Sequence, residues 1–285
     1  LILCMVAAKV LTGKLIAPIE KLAENIGECT EMQTYEELTP FMAMIRKQHE
    51  DIMKNARMRQ EFSANVSHEL KTPMTSMKVL ADSLLEQENL PVEMYQEFMG
   101  DIAKEIDREN KIITDLLSLV KMDKKGQTLN IESININELL EQILKRLKPI
   151  AEKKNVEIVM ESFRPVTAEI DETKLSLAIS NLVENAVKYN HDNGWVHVSL
   201  NADHKFFYVK VEDSGIGIPK EDQAHVFERF FRVDKSHSRE IGGTGLGLAI
   251  ARNAVIAHRG AIKVYSEEGE GTTFTVRIPL IYTAS

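Results

Sequence analysis

The sequence predicts an α+β protein, in which a long helical hairpin is followed by an α/β sandwich whose mixed sheet is covered by helices on one face. Apolar residues recur at helical spacing from about residue 56 to residue 122, whereas short alternating segments appear after Lys124-Lys125-Gly126. The 285 residues allow about two domains and a smaller third element. An aromatic content of 6% with 12 methionines favours helix-rich packing over an aromatic-rich β sandwich.

Charge and cysteine content argue against several classes of function. Lys and Arg total 35 against 43 Asp and Glu, a net charge of −8, and there is no basic block. Such a chain is a poor candidate for binding nucleic acid, so we expect no nucleic-acid partner. The two cysteines, Cys4 and Cys29, are too few for a disulfide framework or a metal cluster, which suits a reducing compartment.

The chain begins with eight apolar residues, 1–8, followed by Lys9 and Lys14. Eight residues cannot span a bilayer, which needs about 20. We expect residues 1–8 to be the inner end of a transmembrane helix of a longer, membrane-anchored protein, because this explains both the apolar start and the first residue being Leu. An apolar start to an ordinary helix is the alternative.

Residues 9–57 carry two helical patterns separated by a polar break. Pro18 lies inside the first apolar stripe, and the second pattern runs from Leu38 to Met53. Two short helices just inside a membrane resemble a HAMP relay module, with Ala17-Pro18-Ile19-Glu20 at its usual proline-containing entry. A plain membrane-proximal coiled coil is the alternative.

Residues 58–125 are predicted to form a helical hairpin, with Glu88-Asn89-Leu90-Pro91 as its turn, since proline suits a helix start. Each helix has one apolar stripe, exemplified by Leu70 in the first and by Leu117 in the second. Two such stripes cannot close a core alone. We therefore expect a homodimer in which two hairpins form a four-helix bundle.

Residues 126–285 are predicted to form the second domain. Its strands are expected at 155–162, 166–170, 196–201, 206–212, 261–266 and 272–279, and its helices at 137–154, 172–190 and 246–259.

His68 is the first residue with the chemistry of a catalyst. It lies about 200° from the centre of the apolar stripe at ~100° per residue, so it should face solvent. Glu69 is adjacent, Thr72 shares the exposed face, and Pro73 should loosen the helix around them. A neutral imidazole is a nucleophile that a carboxylate can orient. A solvated surface histidine is the alternative, and this segment alone favours it.

Asn181, Asn185 and Lys188 recur at helical spacing on the face opposite the predicted core. Asparagine oxygens suit Mg²⁺, and a lysine one turn further can bind phosphate. The alternative is an ordinary solvated helix face.

Asp213 follows a strand in phase with its apolar face, so its carboxylate should point inward and need a donor. Gly215 and Gly217 would allow a ligand to approach the backbone closely. Such an acceptor could bind a purine amino group. An Asp that caps its own glycine turn is an equally good interpretation.

A glycine-rich loop at 242–247 runs into a predicted helix, and amides at a helix N-terminus can bind phosphate. The loop is not a Rossmann fingerprint, because Leu248 stands where the third glycine belongs, and the chain has no Walker motif. The preceding polar stretch 233–241 is expected to be a mobile lid.

In their order along the chain, these segments resemble the motifs of sensor histidine kinases over roughly residues 58–280. The matching segments are the phosphoacceptor box around His68, the asparagine box 181–189, the glycine boxes 213–217 and 243–247, the phenylalanine box 227–232 and the closing turn 269–274.

This resemblance implies a Bergerat (GHKL) fold that binds ATP and Mg²⁺. Asn185 would be the Mg²⁺ ligand, Asn181 would support it, and Asp213 would bind the adenine amino group. The other residues that the resemblance places at the nucleotide are Lys188, Tyr189, Gly215, Gly217, Arg232, Gly243, Thr244, Gly245, Leu246, Gly247 and Thr272.

The resemblance also implies that His68 attacks the γ-phosphate while Glu69 polarises its other ring nitrogen. Thr72 would position a water that removes phosphate from the partner. That partner would be the receiver domain of a response regulator, which accepts phosphate on an aspartate. The chain would then be the cytoplasmic portion of a bacterial inner-membrane protein.

Position 181 distinguishes subfamilies of this ATP fold. Hydrolytic relatives carry a glutamate base four residues before the Mg²⁺ asparagine, whereas this chain has Asn181. An amide there favours transfer to His68 over transfer to water. Two alternatives stay open, a non-enzymatic ATP-sensing scaffold and a hydrolytic ATPase of the same fold.

Overall fold

The structure is a computed structural model, and it describes most of the chain from residue 39 onward. The described residues are Met5, Lys9, 39–86, 91–123, 129–233 and 243–283. Most of the predicted membrane-helix end, of the HAMP-like relay and of the 233–241 lid lies outside them. Among the described residues, no helix combines the length and the apolar character that a membrane crossing requires.

The chain divides into two compact units, Leu1–His68 and Glu69–Ser285. Helix α1, Thr39–Leu85, begins in the first unit and ends in the second. It passes through the predicted boundary between relay and hairpin at residue 57 without a break, because the chain has neither glycine nor proline between Pro40 and Pro73. The helix also continues past Pro73.

Helix α2, Val92–Asp123, starts directly after Pro91, as predicted. The Pro91 carbonyl accepts hydrogen bonds from the amides of Met94 (3.1 Å) and Tyr95 (3.2 Å), which are the first bonds of the helix. The two long helices of the predicted hairpin are therefore present. Within the first unit, His68 has an exposed side chain, in agreement with its helical position.

A five-stranded mixed sheet forms the centre of the second unit, in the order β2-β4-β5-β7-β6. Only β2 and β4 are parallel, and the other neighbours are antiparallel. The strands are β1 (Glu132–Asn135), β2 (Glu157–Ser162), β3 (Thr167–Ile170), β4 (Trp195–Ala202), β5 (Phe206–Asp213), β6 (Ala261–Glu267) and β7 (Gly271–Pro279).

The six predicted strands are confirmed to within about two residues, but β1 escaped prediction. It has four residues and only one apolar side chain, Ile134, so it shows no alternating pattern. It exists because it pairs antiparallel with β3 in a separate two-stranded sheet. That pairing is a long-range contact, which local sequence does not encode.

Three helices follow the strands, as predicted: α3 (Ile136–Lys153), α4 (Glu172–Lys188) and α5 (Gly247–Ala257). Alternate residues of the central strands are buried, for example Val209 and Val211 of β5, and they form one core with Ile179 and Leu182 of α4. Each such side chain contributes about 1.5–3 kcal/mol by burial. The residues between them on the strands remain partly exposed, so one face of the sheet carries the helices.

Candidate functional site

A cavity in the second unit is lined by α4, by the turn after β5 and by the glycine-rich loop that precedes α5. It gathers most of the binding residues that the sequence indicates. Those on its wall are Asn181, Asn185, Lys188, Tyr189, Asp213, Gly217, Arg232, Gly243, Thr244, Gly245, Gly247 and Thr272. Two of the predicted residues do not line it. They are Gly215, whose amide donates a hydrogen bond to Asp213, and Leu246, which is fully buried.

Helix α4 presents its polar side chains to the cavity because its opposite face is anchored in the core. Asp171 caps the helix by accepting a hydrogen bond from the amide of Lys174 at 3.0 Å. Asn181 donates from Nδ2 to the carbonyl of Leu177 (2.9 Å). A Cβ atom on Gly247 would lie 2.6 Å from Asn181 Oδ1, so this contact with the loop requires glycine.

Lys188 is a partly buried cation at the cavity. Burial lowers its pKa to about 8, and the positive charges of Lys111 and Arg232 act in the same direction, while Glu184 and Asp115 oppose them. Such a group gains from an anion placed beside it, because the anion restores the charged form. This part of the wall is therefore suited to phosphate.

Asp213 lies at the end of β5 with 8% of its surface exposed. Its Oδ1 accepts hydrogen bonds from the amides of Gly215 (2.9 Å) and Thr272 (3.3 Å). Desolvation nevertheless raises the pKa of the carboxyl to about 6. The aspartate therefore caps its own turn through Oδ1, and no described residue donates to Oδ2.

The glycines after Asp213 are required by close approach of the backbone. A Cβ on Gly215 would lie 2.3 Å from the carbonyl oxygen of Tyr189. Gly217 has φ +70°, and a Cβ there would lie 2.1 Å from the carbonyl oxygen of Glu267. Side chains at either position would displace the turn that borders the cavity.

The second glycine-rich loop leads into α5 without a side-chain cap. Gly245 has φ +69°, and its carbonyl accepts a hydrogen bond from the amide of Phe230 (2.8 Å). The first amides of α5 have no partner within the helix, as at any helix start, so they can bind an anion. The loop has the geometry of a phosphate site.

Two charged residues of α2, Lys111 and Asp115, are among the residues of the cavity wall that sequence reasoning missed. Lys111 Nζ pairs with Glu184 Oε2 at 2.6 Å, and Asp115 Oδ2 accepts a hydrogen bond from Thr244 Oγ1 at 2.8 Å. A signal was present in the sequence. Asp115 lies three residues after Ile112 and four before Leu119, so it interrupts an apolar face with a carboxylate.

The predicted catalytic residue Glu69 makes an ion pair with Arg232, with Oε2 and Nη2 2.9 Å apart. The Arg232 side chain is only 6% exposed, and its Nε has no hydrogen-bond partner among the described residues. Arg232 therefore links α1 to the cavity while one of its donors stays unsatisfied. Thr72, also on α1, is partly buried.

Two family models match the chain. The His Kinase A (phospho-acceptor) domain matches residues 58–125, and the histidine kinase-, DNA gyrase B- and HSP90-like ATPase domain matches residues 170–281.

Curated relatives are similar to most of the chain. The sensor histidine kinase WalK of Bacillus subtilis (strain 168) is 40% identical over 224 residues, which are 78% of this chain and 36% of WalK. The sensor-like histidine kinase SenX3 of Mycolicibacterium smegmatis is 37% identical over 233 residues, which are 81% of this chain and 60% of SenX3. The chain thus spans between about a third and three fifths of the length of these relatives.

A solved structure, full-length ShkA in complex with AMPPNP, is similar with a TM-score of 0.59 and 28% identity. The similarity covers 79% of this chain and 47% of ShkA.

Proposed function

Because the chain belongs to the two-component sensor histidine kinases, we propose that it transfers the γ-phosphate of ATP to His68 and from there to an aspartate of a response regulator. One observation carries the proposal. Asn181, Asn185 and Lys188 line a single cavity with the glycine-rich loop that precedes α5. These residues together could bind a polyphosphate that carries Mg²⁺.

Each part of the cavity would bind one part of ATP. Asp213 would accept the adenine amino group through Oδ2, since its Oδ1 is already used. The amides of loop 243–247 and the ammonium of Lys188 would bind the phosphates. Tyr189 and Arg232 would border the ribose and the phosphates.

Mg²⁺ would enter together with ATP, and the donors present fit that arrangement. Among the described residues no group of three or more His, Cys, Asp or Glu side chains could hold a metal ion. Asn185 offers an amide oxygen, which is a hard ligand but insufficient alone. Asn185 would therefore hold the ion together with the phosphates of the nucleotide, and the bound ion would supply neutralisation of phosphate charge.

His68 would act as the nucleophile. One ring nitrogen forms the bond to the γ-phosphorus while the bond to the bridging oxygen breaks and ADP leaves. The proton on the other ring nitrogen passes toward Glu69. Since that carboxylate pairs with Arg232, the guanidinium must release or share it during transfer.

The partners follow from the same family. The hairpin would dimerise through its exposed apolar residues, and Thr72 would assist removal of phosphate from the response regulator. The whole protein would be anchored in a bacterial membrane, with this portion in the cytoplasm. Asn181, an amide where a hydrolytic enzyme needs a base, makes steady ATP hydrolysis the weaker candidate.

Incubation with ATP labelled at the γ-phosphate tests the proposal. The dimer should acquire label that is stable to base and labile to acid, and His68→Gln should abolish it. His49→Gln, which changes another histidine of α1, is the matched control and should label normally. Label that survives His68→Gln would overturn the assignment of the acceptor, and nucleotide binding without any label would favour the scaffold.

A further inference from the structure

Helix α2 carries a carboxylate to the wall of the nucleotide cavity, and no step of the proposed phosphotransfer uses it. Ile112, Asp115 and Leu119 are buried at successive spacings of three and four, so they share one face of the helix. Ile113 and Leu117 are exposed on the other side. The buried face is therefore separate from the apolar stripe that is expected to dimerise.

The apolar part of this contact is Leu119. Its side chain has 0% exposure and packs in a cluster with Leu246, Ala249 and Ile250, around the start of α5. Burial of a leucine side chain stabilises the contact, and this stabilisation does not depend on charge. A change of charge in the cavity therefore acts on the polar part of the interface and not directly on this apolar part.

The polar part is the bond between Asp115 and Thr244. The Thr244 hydroxyl donates to Asp115 Oδ2 at 2.8 Å and accepts from the amide of Leu246 at 3.3 Å. Both residues are buried, with 7% and 6% exposure. A hydroxyl has one proton, so Thr244 cannot donate to a phosphate while it donates to Asp115.

Electrostatics make Asp115 sensitive to the contents of the cavity. Desolvation raises the pKa of its carboxyl, whereas the bond from Thr244 and the charge of Lys111 oppose that rise and Glu184 adds to it. Lys111 is already paired with Glu184. A polyphosphate in the same cavity would add several negative charges in a medium of low dielectric, where like charges repel strongly.

We propose that Asp115 is a nucleotide-sensitive latch, which holds α2 against the phosphate loop through Thr244 when the cavity is empty and is displaced by a nucleoside triphosphate. This inference rests on the proposed function of the cavity. By linkage, the coupling is reciprocal: ATP weakens the contact of α2, and the contact lowers the affinity for ATP. The latch would prevent the hairpin from taking part in phosphotransfer until ATP binds.

Calorimetric titration of ATP and of adenosine into the chain and its variants tests the latch. Asp115→Asn keeps the shape and an acceptor oxygen but removes the charge, so ATP should bind about tenfold more tightly. Leu119→Ala weakens the contact without changing any charge, and it should also raise the ATP affinity. Adenosine carries no phosphate, so its affinity should stay unchanged. Asp107→Asn, an exposed aspartate of α2, is the matched control.

Hydrogen exchange of the amides of residues 112–119 gives a readout independent of affinity. ATP should speed exchange there in the unaltered chain, and Asp115→Asn should speed it without ATP. The latch is refuted if Asp115→Asn leaves the ATP affinity unchanged, or if it raises the adenosine affinity by the same factor as the ATP affinity. It is also refuted if ATP leaves the rate of amide exchange in α2 unaltered. Failure of the unaltered chain to bind ATP would refute the proposed function, and the latch with it.

Discussion

The hairpin and the nucleotide domain use their apolar residues in opposite ways. Alternate residues of the central strands, such as Val209 and Val211, are completely buried against α4. On α2, by contrast, Ile113 and Leu117 keep 41% and 55% of their surface exposed. Both regions follow a clear apolar period, so the period predicts the face of an element and leaves open whether that face is covered within the same chain.

The difference shows that the two regions depend on different partners. The nucleotide domain closes its core with its own helices and can support a precise cavity. The hairpin has one helix face, Ile112, Asp115 and Leu119, against that domain and another face exposed. A continuous exposed apolar stripe of this kind marks an interaction surface. The stability of the hairpin is therefore expected to depend on a second copy, and that of the domain is not.

The largest effect is expected from breaking the core of the nucleotide domain. Leu182→Ala removes a fully buried side chain of α4 and should lower the free energy of unfolding by about 2–5 kcal/mol. Trp195, the only tryptophan, lies in β4, so its fluorescence during denaturation reports this domain. Ile256→Ala removes an exposed side chain of α5 and should change the free energy of unfolding by no more than about 0.5 kcal/mol.

A second prediction concerns the exposed stripe of the hairpin. Leu117→Asp should weaken dimerisation by about 2–3 kcal/mol, because a charge replaces a leucine that a second copy would bury. Light scattering after size-exclusion chromatography should report a lower mass, while ATP binding persists. Ile256→Asp, an equal change on the exposed surface of the nucleotide domain, should leave the mass unaltered. A dimer that survives Leu117→Asp would place the interface elsewhere.

The smallest effect on the free energy of unfolding is expected from protonation of a histidine buried in the nucleotide domain. His258 is 1% exposed, its Nδ1 donates to the Ala254 carbonyl (2.8 Å) and its Nε2 accepts from the Asp171 amide (2.9 Å). Burial lowers its pKa below the usual 6.5. The unfolded chain therefore binds this proton first, so the contribution of His258 to stability is complete above pH 6.5 and is lost as the pH drops below it, whereas Asp213, whose pKa is raised to about 6, acts in the opposite direction.

Denaturation between pH 7.5 and pH 5.5 measures this loss, which should be at most about 1.4 kcal/mol for each pH unit. His258→Gln cannot titrate, so its stability should fall less steeply over the same range. His191→Gln alters an exposed histidine and should keep the slope of the unaltered chain. Equal slopes for all three proteins would contradict the assignment.

Much of the fold was predictable because its signals are local. The proline after the hairpin turn marks the start of α2, and alternation marks six strands to within about two residues. The four-residue strand β1 was not predictable, because it is held only by β3. The continuity of α1 past Pro73 was predictable, because the apolar spacing that includes Leu70 resumes at Met77 and a single proline does not end a long helix when the surrounding residues favour it.

The cavity was predictable to a similar degree. Motifs on α4, after β5 and before α5 lie far apart in sequence, yet their order resembles one family, and the structure brings them to one wall. Lys111 and Asp115 were not identified, because their positions on an amphipathic helix say nothing about which domain they meet. The pairing of Glu69 with Arg232 was hidden for the same reason.

The sequence by itself therefore determined the class of fold through local periodicity, the family through the order of motifs that resemble it, and most of the predicted binding residues that line the cavity. Only the tertiary structure decided that α2 brings Asp115 to Thr244 and that Arg232 holds Glu69. The physical reason is that side-chain periodicity specifies which face of an element is buried, whereas the partner of that face depends on contacts between residues more than a hundred positions apart.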